Sequence, residues 1–227
     1  EGPDVGGPHS PYRQSERQHI FKEHAERLMN EGKAYHCFCS DATLTEKREA
    51  AMKLGKVPQY DGTCARLSKA EVEKRIAGGE KPLVRFRAPV RTYKVNDLVR
   101  GEVVFGENMV GDFVILRSGG MPVYNFCVIV DDHLMNITHV IRAEEWIPST
   151  PKHVLLYKAF GWEAPQFAHM PLILNPDKSK LSKRQGDVAV EDFLNKGYLP
   201  QALVNFVAFL GWNPKTEQEL FSMEELV

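Results

Sequence analysis

The residues best suited to chemistry are gathered in 175–184, N-P-D-K-S-K-L-S-K-R. Lys178, Lys180, Lys183 and Arg184 fall within seven residues, with Ser182 among them and Asn175, Pro176 and Asp177 forming a turn signal in front. Cations on a loop beside a strand end suit a polyphosphate, because charge can close over it without lasting burial. A solvated Lys-rich loop is the plainer reading of the same residues. Three other groups stand out. Cys37 and Cys39 form C-x-C, with Cys64 further on. Arg85, Arg87, Arg91, Lys94 and Arg100 make a basic stretch with Phe86 and Tyr93 interleaved. That stretch is either a phosphate track for RNA or a charged strand face paired with Asp97 and Glu102. Asp131, Asp132 and His133 have the composition of a metal or acid–base cluster, but read more simply as a solvated turn after a strand.

Elements must hold these groups in place. Ser15 and Gln18 spell a capping box, after which Phe21, Ala25, Leu28 and Met29 recur at helical spacing up to Gly32. Residues 34–39 alternate like a short strand. Thr43 with Glu46 caps a second helix that ends near Gly55, and Ser68 with Glu71 caps a third that ends at Gly78 and Gly79. The pattern then turns to β, with strands expected at 83–87, 92–95, 102–105 and 112–116. After the Gly119-Gly120 turn the grammar changes. Residues 126–130 and 137–141 are continuous apolar runs, of the kind that suits strands covered on both faces. Thr150 and Pro151 open a helix to Gly161, 169–174 is the next strand, and Pro200 opens a helix closed by Gly211. Strand–helix–strand alternation implies parallel pairing and right-handed crossover, hence a doubly wound α/β half-domain.

Composition narrows the class. Of 227 residues 43% are hydrophobic and 26% charged, which is globular usage. The net charge of −1 gives no global drive toward nucleic acid, so any RNA contact must come from a local patch. No apolar run reaches membrane-spanning length, and no secretory pattern opens the chain. Four cysteines suit a reduced compartment rather than a disulfide framework.

Several stretches in register point to a family. Residues 124–135 read Y-N-F-C-V-I-V-D-D-H-L-M, 140–153 read V-I-R-A-E-E-W-I-P-S-T-P-K-H, and 169–172 lead into K-L-S-K-R at 180–184. In this order they resemble the catalytic domain of bacterial-type glutamyl-tRNA synthetase, a class I aminoacyl-tRNA synthetase. The Lys-rich loop is similar to that family's K-M-S-K-S motif, and the likeness runs from Glu1 to at least Trp212. It implies an α/β fold: the second half of a Rossmann-type parallel sheet with an inserted α+β acceptor-stem-binding domain, followed by the start of a helical stem-contact region. The expected boundaries are 1–21 for the end of the first Rossmann half and 22–120 for the insertion. Residues 121–185 would be the second half, and 186–227 the start of the stem-contact helices. Upstream the family has a segment with the H-I-G-H motif, and downstream an anticodon-binding domain. The capping box of Ser222 and Glu225 opens a helix that the native chain is expected to continue, and the fragment alone is expected not to form glutamyl-adenylate.

The resemblance also implies roles. Lys180 and Lys183 would hold the phosphates of ATP, with Leu181, Ser182 and Arg184 in support. Glu145 and Trp146 would lie near the ribose and adenine, with Leu172 and Ile173 as an apolar wall with backbone groups. Arg142 and Tyr124 would bind L-glutamate. Val128 stands where some relatives carry Asn, so only its backbone is expected to line the site. Arg85, Arg87, Arg91 and Lys94 would follow the acceptor arm of tRNA(Glu). Cys37, Cys39 and Cys64 resemble a structural Zn2+ site found in some relatives, with Tyr60 or His36 as the fourth ligand, since position 66 is Arg. ATP with Mg2+ is the expected cosubstrate, a monomer the expected state, and a cytoplasm or organellar matrix the expected compartment. Two alternatives stay open: a non-catalytic acceptor-arm binding or assembly module, and a paralogue that glutamylates a tRNA base. A glutaminyl enzyme is disfavoured by residues 140–146.

Overall fold

The computed structural model describes residues 1–107, 109–181 and 189–227. Two compact units divide the chain: Glu1–Val140 with Ile147–Ala168, and Ile141–Trp146 with His169–Val227.

In the first unit, helix α1 (Gln18–Asn30) buries Phe21, Ala25 and Leu28, the stripe that the spacing predicts. Its N-cap is Arg17 rather than Ser15. Arg17 is drawn inward, and its Nε donates to Asp131 Oδ1 at 2.7 Å. After β1 (Ala34–Cys37), helix α2 (Asp41–Lys53) starts earlier than the Thr43 cap suggested, because Ser40 Oγ accepts the Thr43 N–H at 3.2 Å. Helix α3 (Lys69–Ala77) carries the expected capping box of Ser68 and Glu71. Four strands follow: β2 (Leu83–Phe86), β3 (Tyr93–Asp97), β4 (Gly101–Phe105) and β5 (Phe113–Leu116). Strands β1, β2 and β5 form an antiparallel sheet in that order, with Tyr35 opposite Arg85 and Cys37 opposite Leu83.

Helix α4 (Tyr124–Leu134) occupies the run expected as the strand 126–130. Coiled as a helix, the run buries Phe126, Cys127, Ile129 and Val130, and the ion pair to Arg17 fixes its far end. A short continuous apolar run fits a covered strand and a buried helix equally well, so periodicity could not decide between them. The Asp131–His133 turn is corrected with it. Asp131 is held against Arg17, and the His133 ring stacks on Trp162 at 3.8 Å. Burial raises the Asp131 carboxyl above its ordinary value, against the pull of Arg17.

Strand β6 (His139–Ala143) leads through a 3-10 turn (Glu144–Ser149) into helix α5 (Thr150–Phe160) and strand β7 (Gln166–Met170). The second sheet has the order β4-β3-β7-β6. In it β3 pairs antiparallel with β4 and parallel with β7 through Asp97 and Phe167. The strand expected at 169–174 therefore lies earlier. Pro171 has no N–H to give a ladder, and the chain leaves the sheet there.

Among the described residues every buried apolar side chain lies in the first unit, where α1, α4 and α5 supply Leu28, Phe126, Leu156 and Phe160 to the core. In the second unit, helices α6 (Val190–Asn195), α7 (Pro200–Ala208) and α8 (Met223–Leu226) leave Val204, Phe206 and Val207 exposed. Asn205 ties α7 to the tail by donating to the Glu219 carbonyl and accepting the Phe221 N–H, both at 2.8 Å. No described helix is long and apolar enough to cross a membrane.

Candidate functional site

Two clusters emerge, one in each unit. In the second unit, Arg142 lies near the end of β6, where open α/β sheets place ligands. Its Nε donates to Nε2 of the buried His169 on β7 at 3.1 Å, so the His169 ring proton resides on Nδ1. The guanidinium also lies 5.8 Å from the Trp146 ring centroid. The 3-10 turn that follows carries Glu144, whose Oε1 accepts the Leu172 N–H at 3.3 Å, and Glu145, whose carboxylate forms an ion pair with Lys180.

Lys180 reaches Glu145 because its loop folds back on itself. Leu174 and Lys180 form an antiparallel bridge, and Asn175 N–H donates to the Ser179 carbonyl at 2.8 Å. Asp177 Oδ1 accepts both the N–H and the hydroxyl of Ser179, and Lys178 takes a positive φ of 65° at the tip. The turn signal at 175–177 is thus realised. Both members of the Lys180–Glu145 pair are well exposed, at 53% and 39%. Such a pair is weak and can exchange partners.

The structure brings Arg142, Glu145, Trp146, Leu172, Lys180 and Leu181 into one unit with Ile173. Leu172 commits its N–H to Glu144, and the Ile173 carbonyl accepts the Leu181 N–H at 3.1 Å. Ile173 is about half exposed rather than core. Lys183, Ser182 and Arg184 lie outside the described residues. Tyr124 and Val128 belong to the first unit, at the start and on the body of α4 rather than at a strand edge. The Tyr124 ring stands edge-on to His153 at 6.3 Å, and a His153 ring nitrogen lies 3.0 Å from Asn125 Oδ1. Sequence reasoning missed Glu144 and His169. The Glu144-Glu145 doublet just after a strand was the available signal for one; His169 offered none beyond its place in an apolar strand.

The second cluster is built from β1 and the 3-10 turn at Thr63–Arg66. The sulfurs of Cys37, Cys39 and Cys64 all lie within 4.8 Å of one another. The Tyr60 hydroxyl is 3.4 Å from both Cys37 Sγ and Cys39 Sγ and accepts the Cys64 N–H at 2.9 Å. Of the two candidates for a fourth donor, Tyr60 is the one at the sulfurs. His36 neighbours Cys37 on a strand and so points to the other face. Burial works against the Cys37 thiolate, yet the Tyr60 hydroxyl and the Arg85 guanidinium outweigh it and hold that thiol below its ordinary value. Burial raises the Cys39 thiol, and burial with the surrounding sulfurs raises the Tyr60 hydroxyl, which stays a neutral phenol.

The basic stretch does not form one surface. Arg85 is only 7% exposed and faces the thiols, which corrects its reading as an RNA contact. Lys94 pairs with Glu102 at 3.0 Å, as a charged strand face would. Arg91 lies over Tyr93 at 5.2 Å, while Arg87 lies over Tyr35 at 5.1 Å and donates to the Ala65 carbonyl.

Comparison with known proteins identifies the family. The family model for class I tRNA synthetases (E and Q), catalytic domain, matches residues 3–227. The glutamate–tRNA ligase of Clostridioides difficile is 56% identical over 97% of this chain and 45% of its own length. That of Carboxydothermus hydrogenoformans is 50% identical over the whole chain and 48% of its own. The crystal structure of a glutamate-tRNA synthetase from Elizabethkingia anophelis covers the whole chain at 39% identity with a TM-score of 0.88, over 51% of that protein. The chain thus spans about half the length of the curated relatives it matches. With a matching model over residues 3–227 and relatives at these identities, the chain belongs to the class I tRNA synthetases of the E and Q type, in their catalytic domain.

Proposed function

We propose that this chain forms the part of a glutamate–tRNA ligase that grips ATP and L-glutamate and docks the acceptor arm of tRNA(Glu). The observation that carries the reading is the fold-back that sets Lys180 against Glu145, three residues after Arg142, in a chain of this family. Adenylation joins the glutamate α-carboxylate to the ATP α-phosphate by in-line attack, and pyrophosphate leaves. The protein's task is to align two anions and to offset charge that grows on the phosphates.

Each residue has a part in this. Arg142 offers its guanidinium to a glutamate carboxylate, steadied by His169. Tyr124 contributes a hydroxyl to the same amino acid, beside the Val128 backbone. Glu145 holds Lys180 while the site awaits nucleotide, then releases it to the phosphates of ATP, which arrive with Mg2+. Trp146, Leu172 and Ile173 frame the adenosine. Leu181, Ser182, Lys183 and Arg184 complete the phosphate grip. The exposed Arg87 and Lys94 and the half-buried Arg91, within the 22–120 insertion, face the acceptor arm. Residues 121–185 hold the reactants and 186–227 begin the stem-contact helices. The chain acts as a monomer in the cytoplasm.

Cys37, Cys39 and Cys64 with Tyr60 fit a structural zinc ion: three thiols and a phenol already converge, with the thiol of Cys37 predisposed to ionise. These residues would tie the end of β1 to the 60–66 loop.

The test is a chimera. This chain replaces the matching segment of the Clostridioides difficile ligase, and glutamate-dependent pyrophosphate exchange and glutamylation of tRNA(Glu) are measured. Activity comparable to the parent is expected. A folded chimera that exchanges no pyrophosphate with glutamate would overturn the reading.

A further inference from the structure

We propose that Arg85 is the buried counter-charge of the Cys37–Cys39–Tyr60–Cys64 cluster, a positioning residue that sets how tightly the cluster holds a divalent metal. This rests on the reading of that cluster as a metal site. Two arginines are buried among the described residues, Arg17 and Arg85. Arg17 has a carboxylate, Asp131, at 2.7 Å. Arg85 has no carboxylate within ion-pair distance among the described residues. A permanently charged guanidinium taken out of water needs an anion, and the anion within reach is sulfur. Arg85 Nε lies 3.3 Å from Cys37 Sγ, and its guanidinium carbon sits 4.1 Å from the centroid of the Tyr60 ring.

The sheet register produces this arrangement. Arg85 pairs with Tyr35 and Leu83 with Cys37, so alternation puts Tyr35, Cys37, Leu83 and Arg85 on one face of the β1–β2 pair. Tyr60 and Cys64 close over that face. The charge arithmetic then closes as well. Three thiolates and a neutral phenol around a divalent cation leave one net negative charge, and one guanidinium cancels it. The other cations near the thiols are engaged at the surface, Lys47 with Asp61 and Arg75 with Glu80. Arg85 is therefore the one placed to neutralise the cluster from the buried side, and its flat face on Tyr60 keeps that hydroxyl turned toward the sulfurs.

The experiment titrates the full 227-residue chain with zinc against a chromophoric chelator and records the cobalt-substituted absorption spectrum. Arg85→Met and Arg85→Gln should weaken zinc binding about tenfold or more, as losses in the outer shell of a metal site do. The sulfur-to-cobalt charge-transfer bands should remain in both. Arg85→Lys keeps the charge and should bind within a few-fold of the parent. A parent chain that binds no zinc overturns the metal reading, and this inference with it. A parent that binds while folded Arg85→Met binds equally well overturns this inference alone. If neither neutral variant folds, Arg85→Lys decides: retained affinity supports the role, and a folded chain with a tenfold loss refutes it.

Discussion

The thiol cluster and the lysine loop are opposite solutions to holding charge. Around Cys37, Cys39 and Cys64 the donors are gathered beforehand, two of the three buried and Cys39 half-buried, and steadied by Tyr60 and Arg85. In the other unit Arg142 is half-buried against His169, while Lys180 faces water and rests on an exposed carboxylate. A permanent cross-link gains from low dielectric and exclusion of water, whereas a substrate site must be able to let go. The surroundings differ accordingly. The first cluster sits in the unit that contains the whole described core, and the second in a unit whose helices leave apolar residues exposed.

Four measurements can break or sharpen this contrast. The largest effect should come from the metal. Zinc at a thousandfold excess over its Kd should raise stability by about 4 kcal/mol. Cys64→Ser should abolish that gain in a thermal melt; a melt that ignores both zinc and chelator would make the first cluster no cross-link. Next, Arg142→Ala in the chimera should lower kcat/KM for glutamate about a hundredfold, or about 3 kcal/mol, with stability little changed. A loss of stability of that size instead would make Arg142 a structural pin like Arg17.

Third, Glu145→Gln should cost less than about 1 kcal/mol of stability, since the pair is exposed. It should leave Lys180 freer for phosphate, so the KM for ATP in the chimera should hold or fall; a clear rise would place Glu145 on the nucleotide directly. The smallest effect is acid sensitivity beside the thiols. Lys47 is the main cause that holds the Asp61 carboxyl down at about 2, with Thr63 helping. A depressed carboxylate stabilises above its unfolded value and loses that contribution as pH falls toward about 2. Asp61→Asn should flatten stability against pH between about 4 and 2, and an unchanged slope would assign it to other carboxylates.

Much of the architecture was legible in the residues. The alternation within 83–116 yielded four strands, and the capping boxes at Ser68 and Ser222 appear as written. These are local codes, settled by neighbours a few residues away. Residues 126–130 defeated the same approach, because an apolar run says that a segment is covered but not by what. Arg85 is the sharper case. As a letter it joined Arg87, Arg91 and Lys94 in a basic stretch, yet the register opposite Tyr35 turned it inward.

The sequence by itself determined which groups could meet anions or metal: the lysines of 178–183, Arg142, and three cysteines spaced for a common site. It also carried enough of the family's motifs, in order, to place the chain. Only tertiary structure decided that Tyr60 rather than His36 meets the sulfurs, that Arg142 leans on His169, and that Lys180 rests on Glu145. Those pairings join residues 21 to 35 positions apart. Such partners are chosen by strand register, pleat and burial, which arise only when the whole chain packs.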